Sequence, residues 1–172
     1  MTELPGDSAA DFTEFVVRRY GALLGTAYGL TRDRGQAEDL VQTSLAKCWG
    51  NWDAIRAEDP LAYVRKVMVN TYRAWWRVKK GKQEYPTEHL PIRPALVDHY
   101  ARIERDEVLV AALGRLPGRM RMVVVLRYLG ELSEAETAEA VGCAVGTIKS
   151  QTSRALARLR VDPTLHEYRC SA

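Results

Sequence analysis

Leu132 to Arg160 constrains this chain more than any other stretch, because its turn-forming and small residues fall at the spacings of two crossed helices. Ser133 and Glu136 have the spacing of a capping box, in which each side chain takes an unpaired amide at a helix start, so a helix is expected to begin at Glu134. Ala138 is small enough for a second helix to cross closely, and Gly142 can supply the left-handed backbone of a sharp turn. Ile148 is placed to fill the angle between the helices. From Thr147 the chain runs through Lys149, Ser150, Thr152, Ser153, Arg154, Arg158 and Arg160 without an acidic residue, while Ile148, Ala155, Leu156 and Leu159 make one apolar stripe. The pattern predicts a helix-turn-helix whose second helix presents hydroxyls and cations to the base edges of a major groove. Ala144 runs against it, because a Ser, Thr or Pro there would start the second helix better; a cap worth about 1 kcal/mol is missing.

The rest of the chain reads as helix too, so the expected fold class is all-α: two small helical domains joined by a proline-containing linker, the second ending in the helix-turn-helix. With 172 residues, 47% of them hydrophobic, the chain is long enough to bury a real core. Phe12, Phe15, Val16, Tyr20, Leu23, Leu24 and Ala27 predict an amphipathic helix over Asp11 to about Leu30. Asp33 is expected to cap a second, with Ala37, Leu40, Val41, Leu45, Cys48 and Trp49 inward and Asp39, Gln42, Thr43 and Lys47 outward. A third starts near Pro60, with Leu61, Val64, Val67, Met68 and Thr71 toward the core. Gly81 to Ile103 carries Pro86, Pro91 and Pro94 and no helical stripe, and some twenty extended residues reach about 65 to 70 Å. The second block opens with a helix over Asp106 to Leu113 and breaks at Gly114 to Pro117. It resumes with Met122, Val125, Leu126 and Leu129 inward, and Gly130 is expected as its C-cap. The resulting division is 10–80 for the first domain, 81–103 for the linker, 104–161 for the second domain and 162–172 for a tail without an assigned role.

Charge is uneven. Pro60 to Lys82 holds seven basic residues and no acidic one, whereas Glu131 to Glu139 holds four glutamates. Tyr72, Trp75 and Trp76 stand among the cations of the third helix, a mixture suited to unpaired bases that stack on rings while cations hold the backbone. Adjacent tryptophans point about 100° apart on a helix, and Trp76 is expected to be the more exposed. The longest apolar run, Met122 to Leu126, is too short to cross a bilayer, and the first ten residues do not resemble a signal peptide, so a cytoplasmic location without membrane insertion is expected. Cys48, Cys143 and Cys170 lack metal spacing, and His89, His99 and His166 fall in the connector or tail. No cofactor, metal or catalytic cluster is expected, and the chain does not read as an enzyme.

Three segments, AEDLVQTSLAKCW at Ala37 to Trp49, YVRKVMVNTYRAWWR at Tyr63 to Arg77, and the long run from Leu116 to Arg160, resemble the extracytoplasmic-function (ECF) RNA polymerase sigma factors of the sigma-70 superfamily. The last of them is similar to the actinobacterial sigma-E family subgroup. The resemblance implies an alternative sigma factor that binds core RNA polymerase and directs promoter-specific initiation. It implies that Asp39 and Gln42 dock on the clamp helices of the largest polymerase subunit, with the flap as a further polymerase contact. It implies that the third helix and the loop before it, around residues 51–60, recognise and help melt the minus-ten element, with Asn70, Arg73, Trp76 and Arg77 as the helix residues that do so. Thr147, Lys149, Ser150, Ser153 and Arg154 would read the minus-thirty-five element as duplex, and an anti-sigma factor would be an additional partner. Two alternatives stay open: a stand-alone helix-turn-helix regulator, which calls for a dimer and a palindromic site, and a pure protein-interaction bundle, which leaves the acid-free third helix without a purpose.

Overall fold

The computed structural model describes residues 5–79 and 107–166, and every regular element among them is helical. Lys80, the connector 81–103, His89, His99 and Cys170 lie outside the described residues. Helix α1 spans Pro5–Thr31, six residues ahead of the expected start, because proline suits a first helical position and Ala9 and Ala10 propagate the helix. It ends where Arg32 turns left-handed at φ 58°. Asp33 then caps α2 (Arg34–Trp49), its carboxylate accepting from the Gln36 amide at 2.8 Å. A short helix, α3 (Trp52–Ile55), is too brief for periodicity to reveal, and α4 spans Pro60–Lys79.

Helices α1, α2 and α4 pack around Leu23, Leu24, Ala27, Leu30, Leu40, Val41, Val64 and Met68, all buried. Trp49, expected inward, is 47% exposed at the margin of the α2 stripe, and Trp52 takes the buried place. The Trp52 ring lies 4.9 Å from both Phe12 and Phe15, and its indole Nε1 donates to Asp11 Oδ2 at 3.0 Å. Lys47 does not project freely either: its Nζ donates to Thr71 Oγ1 of α4 at 2.9 Å.

The second block runs α5 (Glu107–Arg115), α6 (Gly118–Val124), a π-helical turn over Val125–Leu129, α7 (Glu134–Val141) and α8 (Val145–Arg160). Its buried face is wider than expected: Val123, Val124, Val125 and Leu126 are all buried, and Leu129 is partly exposed. The reason is that α6 and the π turn are covered from two sides, by α8 and by α1. Gly130 does close this helix, but with right-handed backbone (φ −83°); Glu131, at φ 53°, is the left-handed residue. Glycine is needed at 130 for room, since a Cβ would stand 2.6 Å from the Leu126 carbonyl oxygen.

The two blocks touch directly. Leu113, Leu116, Val124, Val125 and Ala155 join the core of the first block, and Val69 of α4 is fully buried among Val123, Leu126, Leu132, Ala138 and Ile148. At the centre of the junction Gly29 lets the π turn approach α1, where a Cβ would be 2.9 Å from Leu129 Cδ1 and 3.0 Å from Val125 Cγ2. Beside it the Leu129 carbonyl, left over by the end of the helix, accepts from Thr26 Oγ1 at 3.2 Å.

Candidate nucleic-acid interface

The helix-turn-helix is built from the residues that signalled it. Ser133 Oγ accepts from the Glu136 amide at 3.1 Å, and Glu136 Oε2 accepts from the Ser133 amide at 2.7 Å, closing the capping box at the start of α7. These bonds hold the Glu136 carboxyl below its ordinary pKa, Ser133 being the main cause. Gly142 ends α7 left-handed, at φ 72° and ψ 48°, and both its own amide and that of Cys143 reach back to Ala138 O, at 2.8 and 3.0 Å. Ile148 is fully buried and Ala138 nearly so. Ala144 makes no side-chain cap, and its carbonyl accepts from Thr147 and Ile148 instead.

The face of α8 turned away from α6 and α7 carries Ser150, Ser153 and Arg154, all exposed, with Thr147 half-buried beside them. Gly146 belongs to this face, and a Cβ there would meet nothing within 4 Å. Lys149 is exposed but sits at the edge, its Nζ 3.7 Å from Glu134 Oε2 of α7. Ser150 Oγ donates to the Thr147 carbonyl at 3.0 Å, which pulls it toward its own helix. The outward surface is therefore short-chained and open, a shape that admits close approach of a duplex, with Arg154 as its long cation.

The minus-ten candidates on α4 divide. Asn70 and Arg77 are exposed, and Trp76 is 46% exposed while Trp75 is half-buried against the core, in line with the sequence expectation. Trp76 leans edge-on to Tyr72 with ring centroids 6.4 Å apart, and Tyr72 is anchored through its hydroxyl to Leu30 O at 2.9 Å. Arg73, expected to face DNA, instead turns to α7, where Nη1 donates to the Ala140 carbonyl at 3.3 Å. Lys66, four residues before Asn70 and so beside it on the helix, belongs with the candidates by position; the i, i+4 spacing could have found it.

On α2, Gln42 is exposed and Asp39 half-buried, two neighbouring polar positions on the side of the helix away from the core. Glu38 between the core and this edge is buried and paired with Arg34 at 3.5 Å. Cys48 is fully buried, and burial pushes its thiol up to about 11, a structural rather than reactive state. Among the described residues no three His, Cys, Asp or Glu side chains come together in a way that could hold a metal, and no helix is long and apolar enough to cross a membrane.

Residues 15–81 match the family described as Sigma-70 region 2, and residues 106–159 match Sigma-70, region 4. The chain is 45% identical over 153 residues to the RNA polymerase sigma-E factor of Streptomyces antibioticus, covering 87% of this chain and 83% of the relative. It is 44% identical over 154 residues to the RNA polymerase sigma-E factor of Streptomyces coelicolor, covering 87% and 84%. Among solved structures it is similar to the sigma factor RpoE in complex with the anti-sigma factor NepR from Bartonella quintana, with a TM-score of 0.66 and 27% identity over 88% of this chain and 98% of that one. CnrH in complex with the cytosolic domain of CnrY shares the fold, at a TM-score of 0.58 and 23% identity over 87% of this chain and 84% of that one. With both sigma-70 regions in order along it and this identity across most of its length, the chain belongs to the ECF RNA polymerase sigma factors, in their sigma-E subgroup.

Proposed function

We propose that this sigma factor divides initiation between its two blocks: α4 and the loop of residues 51–60 take the minus-ten element, and α8 reads the minus-thirty-five element as duplex. The observation that carries the reading is the outward face of α8, free of acidic side chains and held at a formed helix-turn-helix, with Ser150, Ser153 and Arg154 exposed and Thr147 at their side. Lys149, at its edge, serves phosphate rather than bases, since Glu134 already claims its inner side. On α4 the exposed Trp76 offers a stacking plane for an unpaired base, with Asn70 and Arg77 on the adjoining face and Arg73 joining them only once it leaves Ala140. Asp39 and Gln42 of α2 are the polymerase-docking pair.

The factor carries out no bond chemistry in this reading. Specificity comes from side chains meeting base edges and captured bases, while core polymerase supplies most of the grip; the site of action is the cytoplasm. An anti-sigma factor is a further partner, by analogy with the complexes of the two similar structures. Run-off transcription with core polymerase tests the assignment. Arg154→Ala is expected to cost about 1 to 3 kcal/mol at the upstream element, seen as weaker use of the promoters that carry it. Equal transcription by parent and variant on every promoter would refute the role of α8.

A further inference from the structure

The loop of residues 51–60 has little to hold it in shape by itself. The helix inside it, α3, is four residues long, far below the length at which a helix is stable in water without tertiary support, and Asn51 makes no side-chain cap at its start. Support comes from the first turns of α1. Asp11 stands inside a formed helix, because α1 begins at Pro5, and Phe12 and Phe15 follow it. Each of these two rings lies 4.9 Å from that of Trp52, which is 3% exposed. Asp11 Oδ2 accepts from Trp52 Nε1 at 3.0 Å, and Arg56 Nη1 stands 4.0 Å from the same oxygen. Trp52 is the first residue of α3 and Arg56 is its C-cap, so one carboxylate oxygen meets both ends of the short helix. We propose that Asp11 is a positioning residue for initiation: through Trp52 and Arg56 it presets the backbone of the loop for the unpaired minus-ten strand, without touching DNA itself.

Trp52 and Ile55 are buried while Asp53, Ala54, Ala57, Glu58 and Asp59 are exposed, so the outward face of the loop is set by how the two inward residues are seated. Ring contacts alone leave an indole free to tilt in its pocket, whereas a hydrogen bond at Nε1 fixes which edge of the ring meets α1. Arg56 is 20% exposed and has Asp53 Oδ1 3.5 Å from its Nε, in addition to Asp11. Asp53 moves with the loop and cannot anchor it; Asp11 belongs to a long helix and can. The far margin of the loop is held separately, where Asp59 Oδ1 accepts from the Ala62 amide at 3.1 Å as α4 begins. With both margins held, the loop meets the strand with its backbone already ordered, and less free energy is lost when a base is captured.

The role of Asp11 rests on reading the loop as a minus-ten contact, and the experiment separates the two. The full chain is assembled with core polymerase on fork-junction templates whose unpaired minus-ten bases are changed one at a time, and the ratio of affinities for preferred and altered templates is measured. Asp11→Ala is expected to flatten that ratio roughly tenfold at the bases the loop serves, the size of effect that follows from losing a hydrogen bond to a charged group. Discrimination at the minus-thirty-five element and affinity for core polymerase stay as in the parent. Trp52→Phe keeps an aromatic ring and removes the Nε1 donor, and it shifts the ratio in the same direction. D11A/W52F is expected to be no worse than Asp11→Ala alone, because both changes remove one contact. Asp11→Asn, whose amide oxygen still accepts from Nε1, recovers part of the ratio. Additive losses in the double variant would mean two unrelated defects and overturn the proposal. A57Q/E58A alters the exposed surface of the loop and leaves Asp11 and Trp52 in place, so it tests the loop itself. If it changes discrimination while Asp11→Ala does not, positioning by Asp11 is overturned and the minus-ten reading stands; if neither variant changes it, the loop reading and the role of Asp11 fall together.

Discussion

Arg115 grips Asp162 with both edges of its guanidinium, Nε to Oδ2 at 2.7 Å and Nη2 to Oδ1 at 2.6 Å, and Thr164 Oγ1 closes the cluster at 2.5 Å from the same Nη2. The sequence offered no role for the tail beyond Val161. The structure assigns it one, holding residues 163–166 as a helical turn on α5, with Asp162 Oδ1 also accepting from the Thr164 amide at 3.0 Å. The signal was out of reach because the partners lie 47 residues apart. Arg115, followed by the Thr164 hydroxyl, holds the Asp162 carboxyl well below the usual carboxylate range. A carboxyl depressed on folding stabilises the fold above its unfolded pKa, about 3.9, and stops doing so as pH falls toward the folded value. Asp162→Asn is therefore expected to lower the melting temperature at neutral pH, with a gap from the parent that stays constant down to about pH 4 and closes below it. A gap that widens in acid would contradict this coupling; thermal melts across pH measure it.

At the scale of elements, the helix starts and turns that depend on near neighbours could be read before any fold was known. Asp33 caps α2 and Ser133 boxes with Glu136 because each bond joins residues three apart. Gly142 is left-handed where the turn needed it. The stretch from Met122 to Leu129 could not be read the same way, because a helix buried from two sides loses its single stripe and because the π turn shifts the register of Val125 to Leu129. Its glycine gives a prediction with a built-in contrast. Gly130→Ala drives a Cβ against backbone, at 2.6 Å from Leu126 O and 3.1 Å from Leu126 Cα, and is expected to cost about 1 to 3 kcal/mol. Gly146→Ala, inside α8 with open space around it, is expected to stabilise by about 0.5 to 1 kcal/mol. Denaturant midpoints for the two variants should move in opposite directions, and a common direction would remove the steric explanation.

In the molecule as a whole, α1 and α4 each serve two neighbours, the first block's core on one side and the second block on the other. Arg65 is buried at this junction, with an unpartnered Nε and its Nη2 4.0 Å from the exposed Glu131 carboxylate. Replacing a poorly paired buried ion by an apolar side chain of similar length stabilises proteins, so Arg65→Met is expected to raise stability by about 1 kcal/mol or more. Chemical denaturation of the full chain measures this, and a variant less stable than the parent would mean that Arg65 is better compensated than its contacts indicate.

The long helices of the first block, the capping box, the sharp turn and the open face of α8 were dictated by residues within a few positions of one another, which is why reading along the chain recovers them. Burial of Val69, the diversion of Arg73 to Ala140 and the pairing of Lys66 with Glu139, 73 residues away, were settled only when the two blocks packed. Helical periodicity reports that a face is apolar or charged, but one cationic stripe can meet DNA or its own chain's glutamates. Charge complementarity across a long separation leaves no local mark, so tertiary contact alone determined which cations of α4 are covered.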